Sequence, residues 1–178
     1  MESPTEIRTE RLLLRPPTEA DAPAVFERYA QDAEVARYMS WKPHQSMDDT
    51  YAFLRRTISE NAAGSSRGYL IFANDTGALL GSIGGAIECH RMHFGYLLAR
   101  DAWNKGFATE AATHFVQAAL DDPAISRVQS FCYVENRASA HVLEKAGLTL
   151  EGTLRHYLTL PNLGSEPRDV FFYAKVRR

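Results

Sequence analysis

The middle of the chain changes its hydrophobic period from that of helices to that of strands, and this change limits the folds open to it. Residues 69–73, 79–88 and 93–98 are short apolar and aromatic runs separated by the turn sequences NDTG and CHRM. Short runs joined by tight turns predict neighbouring strands of one sheet. A glycine turn and an alanine-rich helix follow directly in DAWNKGFATEAATHF, residues 101–115, so the third strand leads into a helix.

The N-terminal third supplies two helices and a strand. We predict a strand at residues 12–14, which ends at a pair of prolines, and a helix that Thr18 opens. A second helix begins at Ser46, which forms a capping box with Asp49. Its apolar residues recur at i, i+4, i+7 and i+11, which is typical of one buried helical face.

The C-terminal third returns to strands. Residues 127–133 predict a fourth central strand, and a short helix at about 138–146 ends at Gly147. Two extended segments follow, at 148–160 and 169–176. This order predicts an α/β (α+β) fold: one domain spanning residues 1–178, with a mixed and mostly antiparallel twisted sheet flanked by helices.

Composition excludes several classes of function. The chain has 178 residues, of which 45% are hydrophobic and 24% charged, as expected for one soluble domain. A net charge of −2 argues against a general binder of nucleic acid or of anionic membranes.

Three features predict a cytoplasmic protein. The N-terminus is polar, the chain has no long apolar run, and the two cysteines, Cys89 and Cys132, are interpreted as buried thiols.

The turn before the long helix has the composition of an anion-binding site. A helix N-terminus carries unpaired N–H groups and a partial positive charge, so it binds phosphates through its backbone. Gly106 and Ala108 allow close approach, Thr109 adds a hydroxyl, and Lys105 adds a positive charge. The alternative interpretation is that Gly106 only permits a tight connection between strand and helix.

A second polar pair follows the fourth central strand. Asn136 and Ser139 fall at the strand end and in the first turn of the next helix, where they also suit a helix cap. Open sheets bind ligands at the carboxyl ends of their strands, where neighbouring chains diverge. Two such ends, near residues 98 and 134, carry polar or phosphate-binding turns.

Four segments taken together resemble the GNAT N-acetyltransferases, in particular their RimJ/RimL-like branch. They are RLLLRPPTEAD, FGYLLARDAWNKGFATEA, VENRASAHVLEKAGL with the LEG that follows, and DVFFYA. Their order and spacing match over about residues 8–176. The phosphate turn departs from the family pattern Q/R-x-x-G-x-G/A, because Trp103 stands at its first position.

The resemblance implies the GNAT fold, with a sheet splayed between two parallel strands, and acetyl-CoA as co-substrate. It places the diphosphate on the backbone of the phosphate turn, the pantetheine arm beside Leu97 and Leu98, and Asn136 against that arm. We therefore predict that Asn136 and eight residues at the end of the third central strand and in the turn bind the cofactor. These eight are Leu97, Leu98, Asn104, Lys105, Gly106, Phe107, Ala108 and Thr109.

Acetyl transfer to an amine needs a base, an oriented acceptor and a polarised thioester carbonyl. We predict Glu88, at the end of the GSIGGAIE strand, as the base beside the acceptor, with a solvated strand end as the alternative. Ser139 is predicted as the acid for the leaving thiolate, with Tyr133 and Tyr157 in reserve. Trp41 is predicted to line the acceptor site, although packing is an equal interpretation.

The partners follow from the same interpretation. We expect an amine acceptor, either a peptide N-terminus or a small molecule, no nucleic acid, no membrane, and a homodimer as an open possibility. Cys89, His90 and His93 lie in one tight hairpin, where successive side chains point apart, and no second Cys/His pair completes a site, so no metal is expected. The competing function is a GNAT module that binds acyl-CoA without catalysing transfer.

Overall fold

The computed structural model describes residues 6–177, and eight strands of this part of the chain form one mixed sheet. The spatial order of the strands is β1-β2-β3-β4-β5-β6-β8-β7. In chain order they are β1 (Ile7–Arg8), β2 (Leu12–Arg15), β3 (Ser66–Ala73), β4 (Leu79–Glu88), β5 (Arg91–Leu98), β6 (Arg127–Tyr133), β7 (Thr149–Leu158) and β8 (Arg168–Val176).

Every neighbouring pair in this sheet is antiparallel except β5 and β6, which are parallel. A parallel pair requires a crossover connection, and the long helix that follows β5 provides it. The predicted fold class is therefore confirmed: the sheet is mixed and mostly antiparallel, with its one parallel pair at the centre.

Five α-helices flank the sheet: α1 (Ala22–Val25), α2 (Ala33–Ala36), α3 (Met47–Ala62), α4 (Phe107–Asp121) and α5 (Arg137–Lys145). The predicted capping box of Ser46 and Asp49 opens α3. None of the helices within residues 6–177 has the length and apolar content that a membrane span requires.

Two hydrophobic clusters lie on the two faces of the sheet, because side chains alternate along each strand. In β5, Met92, Phe94 and Leu98 join the cluster that α4 covers, whereas Leu97 belongs to the cluster under α1 and α3. The central strands are therefore buried on both faces, and a ligand reaches them only where neighbouring strands separate.

The segment after Thr18 differs from the single helix predicted there. Thr18 opens the segment, as predicted, in a capping box with Asp21, but the chain continues as a 3₁₀ turn, α1, and a π-helical turn at Phe26–Ala30. Asp32 then adopts an extended conformation, and its side chain accepts a hydrogen bond from the N–H of Glu34 to begin α2. A second N-cap inside the segment explains why one continuous helix does not form.

Two further differences concern short features. Strand β1 was not predicted, because two residues carry no readable period, yet it pairs with β2 and buries Ile7. The prediction that both cysteines are buried is wrong for Cys89, which is exposed in the β4–β5 turn with a φ of 55°. Cys132 is buried, as predicted.

Candidate active site

Strands β5 and β6 separate soon after they pair, and the gap between them forms a slot. Their parallel pairing covers residues 91–93 of β5 and 127–129 of β6, and then it stops. At the point of separation the Ser130 hydroxyl donates a hydrogen bond of 2.8 Å to the carbonyl of Phe94. The splayed pair that the resemblance implies is therefore present, and we call the gap beyond Phe94 the slot.

One edge of the slot is the backbone of β5 beyond its pairing with β6. The Ala99 N–H donates to the Leu80 carbonyl at 2.8 Å, so every second residue of β5 from Ala99 backwards bonds to β4. Residues 94, 96 and 98 consequently direct their backbone groups toward β6 and the slot. Of the two predicted arm-binding residues, Leu98 directs its N–H into the slot, whereas the backbone of Leu97 pairs with Ser82.

The phosphate turn, residues 104–109, lies at the end of the slot nearest to α4. Asn104 and Gly106 both have left-handed backbone conformations, with φ values of 59° and 80°, and α4 begins at Phe107. Within residues 6–177, no acceptor forms a hydrogen bond with the amide N–H groups of residues 104–109. These donors remain open to an anion.

Two side chains fix the backbone on either side of this turn. The indole Nε1 of Trp103 donates a 2.8 Å hydrogen bond to the carbonyl of Leu98. The guanidinium of Arg11, in the loop between β1 and β2, donates through Nη1 to the carbonyl of Lys105 at 2.9 Å. Trp103, the departure from the family pattern, therefore has a structural role in closing the connection after β5.

Ser139 and Tyr96 meet across the slot. Ser139 belongs to α5 and Tyr96 to β5, and their hydroxyl oxygens are 2.9 Å apart. Burial raises the pKa of the Tyr96 phenol, although its hydrogen bond with Ser139 acts in the opposite direction. Burial likewise raises the pKa of the Cys132 thiol, which lies beside Ser139, to about 11. All three groups hold their protons at neutral pH.

Asn136 serves as the N-cap of α5. Its Oδ1 accepts a 3.2 Å hydrogen bond from the N–H of Ser139, so the cap that sequence reasoning considered for this pair is formed. The cap uses the backbone of Ser139 and leaves its hydroxyl for Tyr96. Both residues also line the cavity described next.

A cavity of about 520 Å³ opens from the slot toward α3 and the loop after α2. Gly84 and Gly95 face each other in the register of β4 and β5, so side chains leave this part of the cavity open. A Cβ added to Gly95 would meet no atom within 4 Å. The cavity wall is rich in aromatic rings: Tyr29, Tyr38, Trp41, Phe53, Tyr69, Tyr96, Phe131 and Tyr133.

Trp41, which is predicted to line the acceptor site, is one of the residues in this wall. Its ring centroid is 5.3 Å from that of His44, which also lines the cavity. Asn162, from the loop between β7 and β8, donates to the carbonyls of Ala36 and Trp41 at 2.7 Å each. A distant segment therefore fixes the loop that carries Trp41.

The structure does not bring Glu88 together with Ser139. The Glu88 side chain is 78% exposed, forms an ion pair of 2.9 Å with Arg91, and is not one of the cavity-lining residues. It follows Ala86 on the same face of β4, and Ala86 does line the cavity. One two-residue repeat, roughly 7 Å, therefore separates Glu88 from the cavity end.

His93 is a titratable cavity residue that sequence reasoning set aside. It pairs with Ala86 in register, at the last paired position before β5 and β6 separate. Its ring contacts the edge of Phe131, with 5.0 Å between centroids. Burial lowers the pKa of His93 below its usual value of 6.5, so the imidazole is neutral at pH 7 and can accept a proton.

The reserve proton donors lie in different surroundings. The Tyr133 hydroxyl donates to the carbonyl of Leu158 at 3.2 Å, and its side chain is buried. Tyr157 is 45% exposed and packs its ring against Phe131. Neither contacts Ser139. Among the described residues there is no group of three histidine, cysteine or acidic side chains that could hold a metal ion.

Three residues of this site were missed from the sequence, namely Arg11, His93 and Tyr96. Arg11 lies about a hundred positions from the turn that it contacts, and no spacing within the chain indicates such a contact. Tyr96 and His93 looked like ordinary strand residues. The signal that could have identified them is the strand register. It places His93 at the point where β5 and β6 separate, and Tyr96 at the edge of the slot.

Comparison with known proteins decides the family. The sequence model of the acetyltransferase (GNAT) domain matches residues 11–149. The chain belongs to the GNAT acetyltransferase family. It is therefore an acyltransferase, and its sequence is 30% identical over 174 residues to the uncharacterized N-acetyltransferase YoaA of Bacillus subtilis, covering 96% of each chain.

Solved structures of this family share the fold over nearly the full length. RimL, a ribosomal alpha-N-protein acetyltransferase solved with coenzyme A, superposes with a TM-score of 0.87 at 24% identity, covering 96% of this chain and 97% of its own. Spermidine N-acetyltransferase from Vibrio cholerae, solved with CoA and spermine, gives 0.79 at 18% identity, covering 94% and 96%. At these identities the likeness establishes the fold alone.

Proposed function

We propose that this protein, acting as a single domain in the cytoplasm, transfers an acetyl group from acetyl-CoA to a primary amine by direct attack. One observation carries the proposal: the slot joins a turn of open amide donors at one end to an aromatic-walled cavity at the other. A phosphate-bearing thioester and an amine can thus approach each other from opposite ends. The GNAT relatives that bind CoA support the same assignment.

The residues present suit acetyl-CoA. The amides of Asn104, Lys105, Gly106, Phe107, Ala108 and Thr109 would bind the diphosphate, with help from the α4 dipole and the Lys105 ammonium. The pantetheine arm would pair with the unpaired edge of β5 at Tyr96 and Leu98, beside Leu97. Asn136 would contact the arm through its side-chain nitrogen, Nδ2, because its Oδ1 already accepts a hydrogen bond in the cap.

The chemistry requires an uncharged amine, a polarised carbonyl and a protonated leaving thiolate. The amine nitrogen attacks the thioester carbon, the C–S bond breaks, and the thiolate takes a proton. We propose that the Ser139 hydroxyl supplies this proton and regains one from the attacking nitrogen as the amide forms, and that Tyr96, hydrogen-bonded to it at 2.9 Å, orients it. The N–H groups of Tyr96 and Leu98 are the slot donors available to the carbonyl oxygen.

For removal of the amine proton we propose two candidates on one face of β4 and β5. Glu88 is the base that the sequence predicts, and from its exposed position it would act through water. His93 lines the cavity and is neutral at pH 7 because burial lowers its pKa. Position favours His93, whereas the branch resemblance favours Glu88.

The acceptor is proposed to be a primary amine on a peptide N-terminus or a small molecule, with Trp41 forming part of its site. The RimL and spermidine N-acetyltransferase structures represent these two acceptor classes. Among the described cavity residues, the only carboxylate is that of Glu60, and Arg56 lies 4.0 Å from it. Carboxylates would pair with the other ammonium groups of a polyamine, and this lining offers a single one, so we propose a peptide N-terminus or a monoamine as the better acceptor.

A CoA-release assay with a panel of acceptors tests the proposal. N-terminal peptides, monoamines, polyamines and aminoglycosides are each incubated with acetyl-CoA, and the free thiol is measured. We expect amine-dependent thiol release, with peptides or monoamines ahead of polyamines. Calorimetric binding of CoA with no release from any amine would favour the alternative function, a non-catalytic acyl-CoA-binding module.

A further inference from the structure

The loop between β1 and β2 reaches the phosphate turn through one side chain, Arg11. We infer that Arg11 orients the phosphate turn toward its ligand and so determines affinity for the phosphate-bearing part of acetyl-CoA. This inference rests on the proposed function, because it concerns the site at which that function places the diphosphate. Arg11 is then a positioning residue, acting on the cofactor through the backbone of the turn.

The hydrogen bond from Arg11 fixes the plane of one peptide bond in the turn. The Lys105 carbonyl points at Arg11 and accepts its Nη1–H at 2.9 Å. In a trans peptide the carbonyl oxygen and the next N–H point in opposite directions. The hydrogen bond from Arg11 therefore turns the N–H of Gly106 away from the β1–β2 loop, toward the open side of the turn.

The guanidinium of Arg11 also fills the space beside Gly106. A Cβ built on this residue would lie 3.3 Å from Nη2 of Arg11, so the guanidinium occupies the side of the turn opposite the open donors. The guanidinium carbon also lies 4.7 Å from the centre of the Phe107 ring, the first residue of α4. Arg11 thus contacts Lys105 and Phe107 and fills the space beside Gly106, the residue between them.

Arg11 also pairs with the negative charge of Glu110, near the start of α4. Glu110 lies in the first turn of α4, where a carboxylate competes with a bound anion for the helix dipole. Its two oxygens accept hydrogen bonds from Thr9 Oγ1, Arg11 N and Arg11 Nε at 2.5, 2.9 and 2.7 Å. Although burial raises the pKa of Glu110, these bonds lower it below its usual value, so the carboxylate is charged and paired with Arg11.

A matched control lies on the same hairpin. Arg8, in β1, forms an ion pair with Glu6 at 2.7 Å, and both side chains are largely exposed. An exposed pair of this kind contributes little to stability. Arg8→Gln therefore removes an arginine from the same hairpin with no contact to the phosphate turn.

The experiment compares two acetyl donors, acetyl-CoA and S-acetylpantetheine, which lacks the adenosine, the diphosphate and the 3′-phosphate. Steady-state kinetics with a working acceptor are measured for the wild type, Arg11→Gln, Arg11→Lys and Arg8→Gln. We expect Arg11→Gln to raise KM for acetyl-CoA about tenfold at nearly unchanged kcat, because charge-assisted contacts are lost. Its kinetics with S-acetylpantetheine should match those of the wild type, as should Arg8→Gln with both donors.

Arg11→Lys separates orientation from charge. A lysine keeps the positive charge but cannot bond the Lys105 carbonyl and Glu110 together, since it lacks the planar array of donors. We expect it to keep most of the KM defect, and full recovery in this variant would overturn the inference.

Equal losses with both donors in Arg11→Gln would indicate a general structural defect and would also overturn it. If the wild type is active and Arg11→Gln has the same KM for acetyl-CoA, the inference is refuted but the proposed function is not. A wild type that neither binds CoA nor releases thiol would refute the proposed function itself.

Discussion

The two ends of the slot are built in different ways. The phosphate turn is one contiguous segment whose proposed binding groups are backbone amides, and side chains outside it, Arg11 and Trp103, hold the backbone in place. The proposed acceptor cavity is assembled from residues of α3, four strands and loops that are far apart in the chain. One end therefore depends on backbone conformation, and the other on the identity of its side chains.

This difference predicts separable kinetic effects. Variants of the phosphate turn should change the constants for acetyl-CoA and leave acceptor preference alone. Variants of the cavity should change turnover or acceptor constants and leave acetyl-CoA binding alone. A variant that changes both sets equally would indicate that the two ends are coupled.

The largest effect is expected from the base. His93→Gln should lower kcat about a hundredfold, within the range for a lost general base, with an unchanged dissociation constant for acetyl-CoA. Glu88→Gln should lower kcat by a smaller factor. The measurement is steady-state kinetics on both variants with calorimetry as the binding control, and the reverse order of effects would identify Glu88 as the base.

The pH profile tests the same residue. Because burial lowers the pKa of His93, its neutral form persists to a pH below 6.5 and is lost only as the pH falls through that lowered value. The acid limb of the kcat profile should therefore lie below pH 6.5 in the wild type. The limb should disappear in His93→Gln, and an unchanged limb there would assign it to another group.

A smaller but still large effect is expected at the phosphate turn. Gly106→Val places a β-branched residue at a φ of 80° and directs its Cβ at Arg11. KM for acetyl-CoA should rise about thirtyfold, since the strain and lost contacts together amount to about 2 kcal/mol. Gly77→Val is the matched control: its φ is 69°, it lies in the β3–β4 turn, and it should not alter this constant.

The proton donor should give an intermediate effect. Ser139→Ala should lower kcat about tenfold, and Tyr96→Phe by somewhat less, because the first removes the donor and the second removes only its hydrogen-bond partner. The cap of α5 should survive in both, since it uses the backbone N–H of Ser139. Thermal unfolding checks this point, and a large fall in Tm would mean that the kinetic losses reflect folding.

The smallest effect is expected at Trp41. Trp41→Ala should raise the acceptor KM about threefold, with acetyl-CoA binding unchanged, because one aromatic contact among several is lost. Different acceptors should respond by different factors if the ring touches them. A uniform effect on all acceptors would favour packing as its role.

Much of the cofactor end could be predicted from sequence because its information is local. The glycine turn, the helix that follows and the Asn136–Ser139 pair are contiguous patterns, whereas the parallel pair of strands was implied by the family resemblance. Gly106 could be identified because a glycine just before a helix indicates a backbone conformation or a close approach that a Cβ would hinder.

The acceptor end was less predictable because its geometry depends on register and on distant contacts. Glu88 and His93 lie five residues apart, yet the hairpin places one outside the cavity and the other on its wall. No local pattern distinguishes them. Asn162 and Arg11 act across about a hundred residues or more, so only the folded chain brings them to the site.

A crystal structure of the protein with acetyl-CoA tests the central claim most directly. The account predicts diphosphate oxygens within hydrogen-bond distance of the amides of residues 106–109, and the pantetheine arm along β5 with its sulfur near the Ser139 hydroxyl. A diphosphate bound elsewhere, with the slot between β5 and β6 closed, would contradict it.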